Sequence, residues 1–162
     1  MLDLVQRAYR GESARLGWTH EADLLDGQRT DAEALGSMLA DPHQRVLVAE
    51  EDARLIGCVQ VSDQRDGTAY LGMLSVDPTL QARGLGKLLI GVAEGTALEV
   101  FGARRMEMTV IEQRAELIAY YERRGYARTG ETRPFPLDDP RFGLPRRRDL
   151  HFVVLAKSLV EP

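Results

Sequence analysis

The sequence is short of the features that usually announce a function. One cysteine, Cys58, stands among 162 residues. That excludes an intrachain disulfide and the paired-cysteine patterns of zinc and redox sites. The three histidines, His20, His43 and His151, are too scattered for a metal-ligand spacing, so no metal is expected. No apolar run approaches the roughly 20 residues that span a bilayer. The opening Met1-Leu2-Asp3-Leu4-Val5-Gln6-Arg7 lacks the basic-then-apolar order of a signal peptide. A cytoplasmic protein without membrane contact is the expectation. Basic charge is not in excess either: the net charge is −4, which argues against a nucleic-acid coat. Repeats and low-complexity tracts are absent.

What is present fits a single soluble domain over residues 1–162, with 44% hydrophobic and 28% charged residues. Charge is uneven along it. Residues 1–70 hold 7 basic and 13 acidic side chains, and residues 71–162 hold 14 and 12. The second half is thus locally suited to a small polyanion.

The first 40 residues read as helical, with Leu2, Val5, Tyr9, Leu24 and Leu25 at loosely helical spacing and a break around Gly11 and Gly17. A second helix is predicted from Thr30 as N-cap, with Glu33 as capping-box partner, ending before Asp41-Pro42. Strands follow at 45–49, 55–61 and 68–76, an antiparallel meander. The strongest helical pattern then runs from Gly84 to Phe101, with Leu85, Leu88, Leu89, Val92, Ala93, Thr96, Ala97 and Val100 as its apolar or small stripe, and Gly102 as its stop. A strand at 105–110, a helix at 115–124, a strand at 126–132, a polar loop at 133–148 and a last strand at 152–155 complete the order. Strand, helix, strand after a meander predicts a mixed α+β fold: a mostly antiparallel sheet with one parallel pair. Cys58, in a predicted core strand, reads as a small buried hydrophobe.

The chemistry concentrates between Leu71 and Lys87. A strand ends, the chain turns at Asp77-Pro78, and the best helix begins beside Gly84 and Gly86. The first turn of a helix offers free N–H groups and the positive end of the dipole, and glycines let an anion approach. Arg83 and Lys87 add charge. Two phosphate motifs are excluded. The third glycine of a dinucleotide fingerprint falls on Leu89, and a P-loop would need Ser or Thr where Leu88 follows Lys87 and Gly where Gln81 stands.

The full string, Val76-x-Pro78 and then Gln81-x-x-Gly84-x-Gly86, resembles the cofactor signature of the GNAT superfamily of N-acetyltransferases. A second segment, Tyr120-Tyr121-Glu122-Arg123-Arg124-Gly125-Tyr126, is similar to the family's aromatic-Tyr-x-x-x-Gly-aromatic motif. The element order is similar over most of the chain. The resemblance implies a GNAT-like sheet with helices on both faces, splayed between its fourth and fifth strands. It implies acetyl transfer from acetyl-CoA, as co-substrate, to a primary amine by direct attack. Leu74, Ser75 and Val76 would hold the pantetheine arm, and a backbone N–H near Leu74 would polarise the thioester. Gln81, Ala82, Arg83, Gly84, Leu85, Gly86 and Lys87 would hold the pyrophosphate. Tyr121 would protonate the departing thiolate, while Tyr120 reads as a core residue. Two departures stand out. Arg114 occupies the position where many members carry Asn, and is taken as a cofactor contact. The family's first strand is missing before the first helix, so that strand is dispensable, supplied by a partner, or lost to a late start; the edge at 45–50 would then suit a homodimer.

The acceptor end is less legible. Glu12, Glu21 and Glu131 are candidate general bases, with a water chain as the alternative. Glu12, Trp18 and Phe135 are candidate acceptor contacts, from the stretches 9–19 and 133–149, which also hold Phe142 and Arg146-Arg147-Arg148. Arginines favour an acceptor with a carboxylate, such as an amino acid or peptide; the acidic first half favours a cationic amine. Two other readings are a non-catalytic acyl-CoA-binding module of the same fold and a different phosphate-ligand enzyme, which the failed phosphate motifs count against.

Overall fold

In the computed structural model, which describes residues 1–10, 25–26 and 30–161, the chain runs α1 (Leu2–Tyr9), β1 (Leu25–Asp26), α2 (Ala32–Ala40), β2 (Gln44–Glu51), β3 (Arg54–Asp63) and β4 (Thr68–Val76). A 3-10 turn, Pro78–Arg83, leads into α3 (Leu85–Phe101). There follow β5 (Arg105–Ile111), α4 (Ala115–Arg123), β6 (Ala127–Pro134), a 3-10 turn at Pro140–Phe142, β7 (Leu144–Pro145) and β8 (His151–Ser158). Six strands form one sheet in the order β2-β3-β4-β5-β8-β6, and β1 pairs with β7 apart from it. Every neighbour pair is antiparallel except β4 with β5, the predicted parallel pair.

Helices cover both faces. On one, Leu89, Ile90, Ala93 and Ala97 of α3 and Ile118 and Tyr121 of α4 pack on Val59, Val61, Leu71, Met106, Met108 and Leu155. On the other, Leu4 and Val5 of α1 and Leu35 of α2 pack on Cys58 and Met73. Cys58 is fully buried, as its strand position predicts. Among the described residues no helix is long and apolar enough to cross a membrane.

Three expectations need correction. Asp31, not Thr30, caps α2: its carboxylate accepts the Ala34 N–H at 2.7 Å. Leu25 lies in a short strand against Pro145, not in a helix, and Leu24 lies outside the described residues. The predicted stripe of α3 is rotated: Leu89, Ile90, Ala93 and Ala97 are buried, while Leu88, Val92 and Val100 are exposed. The helix is apolar nearly all round, so periodicity alone does not choose its inner face.

Close packing of α3 on β3 depends on Gly57. A Cβ there would lie 2.9 Å from Leu89 Cδ1, 3.3 Å from Leu85 Cδ2 and 3.3 Å from the Ser75 carbonyl oxygen. Gly57→Val is expected to lower stability by about 1–3 kcal/mol, as overpacking does, read as a lower urea midpoint at an unchanged slope.

Candidate functional site

β4 and β5 pair at only three positions, Thr68 with Arg105, Ala69 with Met106 and Tyr70 with Glu107. β4 then continues to Val76 and β5 to Ile111 without pairing to each other. The fork leaves the inner backbone edge of residues 71–76 without a ladder partner. Its closed end is clasped by the Tyr70 and Thr109 hydroxyls, 2.5 Å apart.

A bulge lies along the open edge. Cys58 stands opposite Ser75 and Gln60 opposite Gly72, so Met73 and Leu74 share the place facing Val59. Met73 takes a φ of 51°, the left-handed region that bulges exploit. Side chains satisfy the displaced carbonyls: Ser75 Oγ donates to the Met73 oxygen at 3.0 Å, and Tyr9 Oη donates to the Leu74 oxygen at 2.5 Å.

A cavity of about 320 Å³ fills the fork. Leu74 and Tyr121 line it, as do Arg114 and Phe135. Tyr9 and Arg10, which open the predicted acceptor stretch 9–19, join them, as do Tyr70 and Thr109, which sequence reasoning did not place there. Tyr121 is 5% exposed, and its hydroxyl has no hydrogen-bond partner among the described residues. Burial pushes its phenol far above the ordinary tyrosine value; Tyr9 adds to this, and the Arg114 guanidinium offsets only part. The phenol therefore stays protonated at any physiological pH. Arg114 lies at the N-cap of α4, 4% exposed, its guanidinium 5.8 Å from the centre of the Tyr9 ring.

Beyond Val76 the chain must turn sharply into α3, and Asp77 makes the turn. It is 2% exposed. Its carboxylate accepts from Thr79 N at 3.0 Å and Thr79 Oγ1 at 2.7 Å, and from Arg7 Nη1 of α1 at 3.3 Å. Burial alone would raise its pKa; the Thr79 hydrogen bonds and the Arg7 charge outweigh it and hold the carboxyl below its ordinary value. The 3-10 turn carries the backbone of Gln81, Ala82 and Arg83 to Gly84, which caps α3 at a φ of 74°. Tyr120 of α4, read from the sequence as a core residue, is only half-buried, Tyr121 being the core member of the pair; it closes over the helix start, where a Cβ on Gly86 would lie 2.9 Å from the Tyr120 hydroxyl.

The predicted cofactor residues therefore lie along one path, from α3's first turn down β4 to the cavity. Ser75 is 1% exposed with its hydroxyl turned to Met73, so its backbone is what the path can use. Val76 is buried and Leu85 packs on the core. Lys87 is exposed, beside Arg123, Arg124 and Lys157 in a groove between α3 and the end of α4. Arg83 is bound to Glu51 of the β2–β3 hairpin at 2.6 Å. Glu131 is exposed, holds Arg133 at 3.0 Å and does not line the cavity. Arg147 and Arg148 are exposed and paired with Asp149 and Asp138. Glu12, Trp18, Glu21 and His20 lie outside the described residues. His43 and His151 face Asp63 and Glu112, and no group of three or more His, Cys, Asp or Glu that could hold a metal occurs among the described residues.

Over residues 4–126 the sequence matches the model of the acetyltransferase (GNAT) family. No curated protein matches it significantly. Solved structures match in fold. Nourseothricin acetyltransferase superimposes with a TM-score of 0.62 at 24% identity, over 74% of this chain and 68% of that one. The ribosomal-protein-S18-alanine N-acetyltransferase of Escherichia coli gives 0.63 at 18%, over 82% and 79%. A GNAT family acetyltransferase from Elizabethkingia anophelis, with acetyl-CoA bound, gives 0.61 at 15%, over 79% and 83%.

Asp77 is the residue to test for how this turn is held. Its folded-state pKa is depressed, so its contribution is present above the unfolded value near pH 3.9 and is lost as pH falls through the lower folded value. Asp77→Asn is expected to lose about 1–3 kcal/mol at pH 7, the scale of hydrogen bonds to a charged group. Thermal melts of the two proteins should converge as pH drops below that of the unfolded carboxyl.

Proposed function

The chain belongs to the acetyltransferase (GNAT) family, and from that membership we propose that it is an N-acetyltransferase moving an acetyl group from acetyl-CoA to a primary amine of a small molecule or peptide. The observation that carries the reading is the continuous path from the start of α3, along the unpaired edge of β4, to the cavity beneath Tyr121.

The residues fit a coenzyme A thioester. Gly84 in the left-handed conformation and Gly86 put two residues without side chains at the start of α3, which suits approach of a phosphate to its backbone N–H groups. Gln81, Ala82, Arg83, Gly84, Leu85, Gly86 and Lys87 would hold the pyrophosphate. The backbone of Leu74, Ser75 and Val76 would take the pantetheine amides in place of the absent β5 ladder. Bound there, acetyl-CoA supplies a thioester carbonyl carbon on which an amine forms its C–N bond as the C–S bond breaks.

Each remaining step belongs to the protein. A backbone N–H at the bulge, near Leu74, draws charge from the carbonyl oxygen. Tyr121 gives its proton to the departing sulfur and recovers one from solvent. The amine loses a proton to water. The apolar walls, Phe135, Phe152 and Met108 among them, keep competing water from the thioester.

Acetyl-CoA is expected to raise the melting temperature by mass action, and thiol release over an amine panel reports turnover. No shift with any acyl-CoA would refute the reading. A shift without thiol release across a broad panel would mark a binding module of the same fold instead. Tyr121→Phe should lower turnover about tenfold or more with acetyl-CoA affinity little changed, and the deficit should persist at alkaline pH because the phenol stays protonated. Equal turnover in the two proteins would remove the acid role.

A further inference from the structure

Outside the cavity, α3 and the end of α4 border a groove of about 260 Å³. Its charged lining residues are Lys87, Glu94, Arg123, Arg124 and Lys157. The single acid is already engaged. The Glu94 carboxylate accepts from Lys157 Nζ at 3.0 Å and from the Tyr126 hydroxyl at 3.0 Å. Lys87, Arg123 and Arg124 make no ion pair with a described residue. Glu122, next to Arg123 in the chain, stands 3.9 Å from Arg128 instead. A groove lined by one sign of charge concentrates ions of the other.

The groove adjoins the start of α3. Lys87 stands in the first turn of that helix, and the α3 wall runs on for about two turns to Glu94. On the α4 side, the Arg124 guanidinium lies 5.0 Å from the centre of the Tyr120 ring, and the Tyr120 hydroxyl lies over Gly86. Arg83, the cation that precedes the helix, is bound to Glu51. Among the described residues, Lys87, Arg123 and Arg124 are thus the unpaired cations on this side of the helix start.

We propose that this groove holds the 3′-phosphate of coenzyme A and makes the protein select the 3′-phosphorylated cofactor over its dephospho form. This deepens the acyl-transfer reading and rests on it. Coenzyme A carries two kinds of phosphate. Its pyrophosphate can be met by backbone N–H groups at a helix start. Its ribose bears a phosphomonoester, with a charge of about −1.5 to −2 at pH 7. That ribose is joined to the pyrophosphate, so the monoester must land close to the helix start. Lysine meets such a group as a point charge and arginine as a planar fork. Lys87, between the two subsites, serves both phosphates. Arg123 and Arg124 meet the monoester alone and carry the discrimination.

The test separates the two phosphates. Calorimetry at low salt compares coenzyme A with dephospho-coenzyme A. Coenzyme A is expected to bind about tenfold or more tightly, and the gap should narrow as salt is added, because the groove is open to solvent. In the double variant Arg123→Gln with Arg124→Gln, coenzyme A should fall to the affinity of the dephospho form. The dephospho form should bind that variant as it binds the unchanged protein, which also shows that the variant is folded. Arg123→Lys with Arg124→Lys should keep most of the preference. Thiol release should agree: with acetyl-dephospho-coenzyme A, KM rises about tenfold while kcat stays within about twofold, the mark of binding lost away from the reacting atoms. Equal affinity for the two forms in the unchanged protein, or a preference that survives the glutamine variant, would overturn the inference and leave the acyl-transfer reading standing. Binding of neither form would instead overturn the acyl-transfer reading, and this inference with it.

Discussion

A β-strand can leave its neighbour only if the backbone groups it abandons are satisfied in another way. The separation of β4 from β5 after Tyr70 is the feature on which the site depends. β4 keeps β3 on its other side, but through a bulge that turns two residues, Met73 and Leu74, against one. Their carbonyls are taken by Ser75 and Tyr9. What is left is a strip of unpaired main chain along a cavity with mostly apolar walls, suited to an extended ligand with amide groups of its own. The Tyr70–Thr109 contact sets where the fork begins, and the cavity lies just beyond it.

The last turn of α1 ties the parts together. Arg7 reaches Asp77 at the turn into α3, Tyr9 reaches Leu74 in the bulge, and Arg10 reaches the cavity. One short helix thus fixes the turn into α3, the bulged strand and the chamber between them. Asp77 is a buried charge, and such a group is tolerated only when its hydrogen bonds are complete. Here Thr79 and Arg7 complete them, which makes the turn rigid and the start of α3 fixed relative to β4.

Much of this fold is written locally. The meander, the helix between Gly84 and Gly102 and the parallel pair follow from periodicity and glycine placement, and the helix-start motif and the Tyr120–Tyr126 segment carry the family resemblance. Where the reading failed, local signals were ambiguous. α3 is apolar on nearly every side, so its buried face is chosen by Gly57 and its neighbours across the sheet. Thr30 and Asp31 are both good caps, and the backbone chose Asp31. Tyr9 and Leu74 are 65 residues apart and Tyr70 and Thr109 are 39 apart; no spacing in the chain announces either meeting. The bulge is equally silent, because it breaks the two-residue period by which strands are recognised.

Arginine shows most clearly why the acceptor end resisted a reading by composition. The chain's arginine triplet at 146–148 draws the eye, yet Arg147 and Arg148 are exposed and paired with carboxylates nearby in sequence. Arg10 comes from the acidic half of the chain and Arg114 from the basic half, and neither belongs to a cluster. Burial sets these two apart: a charge at the exposed surface is screened by salt within about 10 Å, while a buried one is screened much less. The buried charges beside the cavity are therefore carried by two residues at helix ends, one ending α1 and one starting α4, which the totals of the two halves do not single out.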